Sequence, residues 1–267
     1  MRVHLGRIFI FPIKSLEGAV VAAARLTPGG ILEHDRSYAL VDAAGKYVNG
    51  KRDARVHRLR CAYDSSFQEV KIGVGSLDAG RQFVLREPQA LNQWLSEYFD
   101  FAVELKHEPN HGFPDDREAF GPTVVSEASV STVASWYPPL GLDSVRGRFR
   151  TNLELAGEEV PPFWEDRLFG TPGEPKPFQI GAVQLLAHNP CQRCVVPTRD
   201  PQSGEPIPGF QKEFMERRRQ SLPVWANAVR FNHYYRFAVN TSVAASEAGK
   251  LLQTGDAVEV ASTALAD

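Results

Sequence analysis

Ala182-Val183-Gln184-Leu185-Leu186-Ala187 runs directly into His188-Asn189-Pro190-Cys191-Gln192-Arg193-Cys194. The apolar run reads as a strand, and two thiols fall at its end with an arginine between them. After them come Val195-Val196-Pro197-Thr198-Arg199 and a turn-like Asp200-Pro201-Gln202-Ser203-Gly204-Glu205. Thiols at a strand end beside a guanidinium point to a soft ligand held next to an anion.

Outward from this strand, most of the chain reads the same way. Aliphatic stretches at 3–10 and 20–26, an alternating Ser37-Tyr38-Ala39-Leu40-Val41-Asp42 with a hairpin-like turn into Tyr47-Val48, and short runs at 70–74 and 82–85 predict strands. Leu91, Trp94, Leu95 and Tyr98 recur at helical spacing and predict a helix over 88–98. Residues 107–122 are dense in Pro, Gly, His and acids and read as a linker, so we expect one domain over 1–110 and a second over 118–263. In the second, Ser126 is placed to cap a helix that Pro138-Pro139 stops. Strands are expected at 152–155, 177–180, 183–187, 235–239 and 257–260, and a charged helix over 211–220. Arg148, Arg150 and Asn152 alternate and would share one face of a strand. Short strands with few helices predict a mainly β protein with peripheral helices (α+β), barrel-like and not an alternating βα sheet.

Composition narrows the function classes. The chain of 267 residues can bury a sizeable core, and its 43% apolar and 23% charged residues with no bilayer-length apolar run read as soluble. The opening apolar run is too short for a signal peptide and meets Pro12 and Lys14. A net charge of −2 without a basic run gives no reason to expect nucleic acid, and no membrane partner is expected. Three cysteines do not make a disulfide framework; Cys61 reads as a buried small hydrophobe, and the other two fit a reducing compartment, by default the cytoplasm.

The pair Cys191/Cys194 has several readings. A structural zinc needs four ligands, and this segment supplies two, with His188 as a third. A redox dithiol sets its first thiol at a helix N-terminus, whereas Val195-Val196-Pro197 is strand-like. Two inert buried thiols form the plain alternative. The remaining reading is one thiolate on a transition metal whose other ligands come from a cofactor.

Cys191-Gln192-Arg193-Cys194 with Thr198-Arg199-Asp200-Pro201 and Gly204 resembles the MOSC domain, named for the C-terminal domain of molybdenum cofactor sulfurase. The likeness is nearer to the mitochondrial amidoxime-reducing component and its bacterial relatives. Phe11-Pro12-Ile13-Lys14-Ser15 with Gly18 and His34-Asp35-Arg36-Ser37-Tyr38-Ala39-Leu40-Val41 resemble signatures of the family's N-terminal β-barrel domain. Ser126-Glu127-Ala128-Ser129, Arg148-Phe149-Arg150-Thr151-Asn152, Trp164-Glu165-Asp166 and the closing Leu252-Gln253-Thr254-Gly255-Asp256 follow in the family's order. The resemblance implies an N-terminal β-barrel domain joined to a barrel-like MOSC domain, and a molybdenum cofactor: a pterin dithiolene on molybdenum with a terminal phosphate. It implies Cys194 as the metal ligand and catalytic centre, with Cys191 not on the metal and packed. Lys14, Ser15, Arg36 and Arg150 would take the phosphate and pterin, joined by Ser126, Asn152 and Arg193. An aromatic partner is expected near Phe231, with Tyr235 preferred over Tyr234.

The activity implied is reduction of N-hydroxylated or N-oxide substrates, with electrons from a separate iron–sulfur or haem carrier and its reductase. The alternative is a module that carries the cofactor, or a persulfide on Cys194, to another enzyme. Two departures stand out. Leu16-Glu17 replaces the Cys-Lys of the amidoxime-reducing component, and Phe231-Asn232 stands where the family often has Phe-Gly.

Overall fold

The computed structural model describes residues 2–116 and 118–260; residue 1 and residues 261–263 of the two expected domains lie outside the described residues. The first part of the chain holds strands β1 (His4–Ile10), β2 (Ala19–Val21), β3 (Ala23–Arg25), β4 (Tyr38–Asp42), β5 (Leu59–Tyr63), β6 (Glu69–Val74), β7 (Arg81–Val84) and β8 (Val103–His107), with helix α1 (Gln89–Phe99). The second holds β9 (Val124–Ser126), β10 (Leu153–Ala156), β11 (Lys176–Ile180), β12 (Val183–Gln192), β13 (Arg236–Ser242), β14 (Leu251–Gln253) and β15 (Val258–Val260). Helices α2 (Glu127–Trp136), α3 (Leu142–Phe149) and α4 (Phe210–Gln220) accompany them. The molecule is mainly β with peripheral helices, as its sequence predicts.

One eight-stranded sheet runs β15-β11-β12-β13-β9-β10-β1-β2, so strands from both ends of the chain are joined in it. Its two ends approach each other: the Val258 amide donates to the Val3 carbonyl at 2.9 Å and His4 bridges Ala257. β14 likewise pairs with β3. The boundary near residue 110 is therefore crossed by three β pairings: β1 with β10, His4 with Ala257, and β3 with β14. Smaller sheets β4-β8 and β5-β6-β7 enclose a second core with α1, where Leu91, Leu95 and Phe99 are buried beside Cys61, Ile72 and Leu105. Cys61 is the buried small residue its setting predicts.

Alternation along short strands partitions the interior. Val124 of β9 faces the sheet core, while Val125 faces a third core under the helices, with Val133, Phe149 and Phe214. The linker expected over 107–122 is no free spacer. His107 closes β8, and the Phe113 amide donates to the Arg36 carbonyl at 2.9 Å.

The expected strand face shared by Arg148, Arg150 and Asn152 is corrected. Val145 and Phe149 sit four residues apart and bury one helical face in the third core, and the Arg150 amide reaches back to the Arg146 carbonyl at 2.8 Å. Arg148 thus lies in the last turn of α3, Arg150 caps it in a left-handed conformation (φ 52°), and Asn152 precedes β10.

Candidate functional site

Strand β12 carries the thiols further than its apolar run foretells. It continues through Pro190 to Gln192, with register slips against β13 between Ala187 and Asn189 and between Pro190 and Gln192. A slip of one residue changes which side chains share a face. Ala187 stays in the core, while Asn189, Cys191 and Gln192 turn into a cleft of about 960 Å³ between the two halves of the chain. Bulges are also where a strand tolerates proline, which has no amide to donate.

The cleft brings together Lys14, Ser15, Arg36, Arg150, Asn152, Arg193 and Cys194, residues predicted from distant parts of the sequence. Ser126 and Tyr235 are not among the residues that line it. Ser126 caps α2 through the Ser129 amide and is fully buried against Ser129 and Glu165. Tyr235 packs on Phe214 in the third core; strand alternation puts its neighbour Arg236 on the cleft instead. The Tyr235 hydroxyl is raised above its usual range, first by burial and then by Cys194. Tyr234 stacks on Phe231 and lines a different surface depression. Cys191, expected to be packed, is half-buried on the cleft wall, where Arg193 Nη1 donates to its sulfur at 3.0 Å. Cys194 is half-buried in the same wall.

On the N-terminal wall Lys14 and Arg36 have acidic partners. Lys14, 7% exposed, donates to the Phe113 carbonyl at 2.8 Å and to Asp115 Oδ1 at 2.6 Å. Burial pulls its ammonium below the usual lysine range against the opposing pull of Asp115. Arg36 pairs with Asp35 and also donates to Asn152 Oδ1 at 3.2 Å and the Arg150 carbonyl at 3.0 Å. Asn152 is held in turn by Thr123 and by its own bond to the Phe9 carbonyl, so it orients Arg36. Ser15, Arg36 and Arg150 all adopt left-handed backbone conformations (φ 74°, 49° and 52°), costly for residues other than glycine and typical of places where function fixes the chain.

Arg150 differs from Lys14 and Arg36. Its guanidinium lies 4.3 Å from the Phe11 ring centroid and among the described residues makes no hydrogen bond, and its Nη2 is shielded from water without a partner. Burial, then the nearby Arg36, pulls it down to about 10. Arg193 is stacked over Phe149 and bonded to the Phe149 carbonyl and the Cys191 sulfur. Arg148 instead braces the loop after the thiols, bonding the carbonyls of Pro197 and Arg199. Sequence reasoning missed Asp115, Arg230 and Arg236 in the cleft; Arg236 is brought there by pairing opposite Gln192 across more than forty residues of chain.

Among the described residues ten Lys/Arg and six Asp/Glu line the cleft, in a chain of net charge −2, so the site leans positive where the whole does not. Among the described residues, no three of His, Cys, Asp or Glu gather closely enough to hold a metal alone. A cofactor would bring its own ligands to a metal beside Cys194. The orphaned Arg150 nitrogen and the half-buried thiol fit one that is anionic at one end and carries a soft metal at the other.

A mainly β chain closing a cationic cleft around a thiol defines the class. The chain matches the MOSC N-terminal beta barrel domain over residues 2–84 and the MOSC domain over residues 111–259, and it belongs to the MOSC-domain family. MOSC domains are linked to molybdenum cofactor binding. No curated protein matches the chain. Among solved structures it is similar to the YUAD protein from Bacillus subtilis, 11% identical, over 97% of this chain and 96% of that one with a TM-score of 0.39. Among the described residues no helix is long and apolar enough to cross a membrane.

Proposed function

We propose that the protein is a molybdenum-cofactor-dependent oxidoreductase that reduces N-hydroxylated or N-oxide substrates with electrons from a separate donor protein. The observation that carries this reading is the meeting in one cleft of the Cys194 thiol with an unpartnered guanidinium at Arg150. Lys14, Ser15, Arg36 and Arg150 would hold the phosphate and pterin, Asn152 would keep Arg36 in line, and Cys194 would ligate the metal with Arg193 beside it. When bound, the cofactor supplies a two-electron centre that accepts an oxygen atom. For an amidoxime the N–O bond breaks, two electrons and two protons enter, and an amidine and water leave. The chain's part is to bind the anion, orient the thiolate and leave room for a small substrate. An iron–sulfur or haem carrier with its reductase would deliver the electrons.

The test is purification from a cofactor-competent host, metal analysis, and benzamidoxime reduction with an artificial electron donor. One molybdenum per chain, lost in Cys194→Ser, together with amidine formation is the expected result. A folded protein from that host without molybdenum overturns the cofactor assignment. A loaded protein that turns over no N-hydroxylated substrate overturns the activity and leaves a carrier.

A further inference from the structure

We infer that the cleft contains a second anion subsite, formed by Arg230 and Arg236, that recognises a carboxylate on the substrate. It rests on the proposed function only in taking the ligand to be the substrate.

Both guanidiniums line the cleft, and neither has a carboxylate within salt-bridge distance among the described residues. Each is fixed instead by the strand that carries the thiols. Arg230 Nη2 donates to the His188 carbonyl at 2.7 Å and Arg236 Nη1 to the Pro190 carbonyl at 2.8 Å. A guanidinium offers five N–H donors, and these two make three bonds between them, the third from Arg236 Nη2 to Asn232 Oδ1 at 2.7 Å. Arg230 Nη1 and Arg236 Nε are shielded from water without a partner. Burial lowers the affinity of Arg236 for its proton, and the neighbouring Arg230 adds to that while Cys191 opposes it. The acids on this side, Asp116 and Glu118, act on His188, and Asp116 is held by Asn240 Nδ2 at 3.1 Å.

Two like charges anchored to carbonyl oxygens two residues apart on one strand gain little for the fold, yet they offer planar, pre-oriented forks to an anion. Their position separates them from the phosphate-binding set. Arg236 pairs opposite Gln192, on the thiol wall, whereas Lys14, Ser15 and Arg36 come from the other wall. An anion here would lie along the wall that carries the thiols. Asn232, where the family often has glycine, supplies the bond that orients Arg236.

The test compares benzamidoxime with 4-carboxybenzamidoxime on the molybdenum-loaded full chain with an artificial donor. The expected kcat/KM favours the carboxylated substrate by about tenfold or more, the size of one charge-assisted hydrogen bond. That ratio, taken within each variant, falls toward one in Arg236→Gln and in Arg230→Gln. Equal kcat/KM for the two substrates overturns the subsite. So does an unchanged ratio in the molybdenum-bearing fraction of Arg236→Gln when that variant binds less of the metal, which assigns the anion to the cofactor. If the loaded protein reduces neither compound, the proposed activity fails, and calorimetry with the inert 4-carboxybenzamide decides the subsite. Binding that benzamide lacks, weakened about tenfold by Arg236→Gln, supports it; equal binding of the two amides overturns it.

Discussion

Two groups of cations in the cleft handle positive charge in opposite ways. On the N-terminal wall Lys14 is paired with Asp115 and Arg36 with Asp35, and even the entrance residue Glu17 is tied to Arg60 and the Cys61 amide. On the other wall Arg146 and Arg148 are paired with acids, but Arg193, Arg230 and Arg236 are anchored to carbonyl oxygens, and among the described residues Arg150 makes no side-chain hydrogen bond. Pairing with a carboxylate makes a buried cation affordable to the fold alone, whereas anchoring to carbonyls leaves the charge available to a ligand. The difference also disposes of the charge reversal at Leu16-Glu17: Leu16 is core, and Glu17 is neutralised locally.

The largest break is Cys194→Ser, which should abolish stoichiometric molybdenum and lower kcat/KM by at least about a hundredfold, measured by metal analysis and steady-state kinetics. Next, Arg150→Gln and Lys14→Gln set the walls against each other. Because the Lys14 charge is already offset by Asp115, Arg150→Gln should weaken cofactor retention more, by roughly tenfold over Lys14→Gln, as followed by molybdenum loss on dialysis.

A control lies outside the cleft, where Glu165 is wholly buried and pushed up to about 7 by burial and by Asp166 beside it. The folded state holds this proton more tightly than the unfolded chain, whose carboxyl titrates near 4.5. Stability from this group is therefore full below pH 4.5, falls as pH rises toward 7, and is level above. Glu165→Gln should flatten a slope on the order of 2 kcal/mol between about pH 5 and pH 7.5 in urea unfolding. The smallest effect is expected at Asp115, whose side chain is 78% exposed. Asp115→Asn removes the carboxylate that competes for Lys14 and should tighten cofactor retention only about two- to threefold, in line with an exposed ion pair.

Much of this molecule is legible from residue order. Helix α1 announces itself through Leu91, Leu95 and their spacing, and α4 falls within a residue of its expected limits. The mainly β class follows from the short aliphatic runs. Helix α3 was hidden because Arg148, Arg150 and Asn152 also satisfy a period of two, and packing of Val145 and Phe149 decided between the periods. The 107–122 segment resembled a linker because its residues favour turns, yet Phe113 and Asp115 close onto Lys14. Cys191 looked like packing because nothing local marks the bulge that turns it outward.

Residue order placed a thiol at the end of a strand, and resemblance to the MOSC family, not any local signature, nominated Lys14, Ser15, Arg36, Arg150, Asn152, Arg193 and Cys194 as partners across nearly two hundred residues. Which cations are already neutralised was decided only by tertiary structure. So was the seating of Ser126 and Tyr235 behind the cleft wall, and of Arg236 on it. Charge compensation depends on distance in space, and a one-residue slip in strand pairing moves a side chain to another face without changing a letter of the sequence.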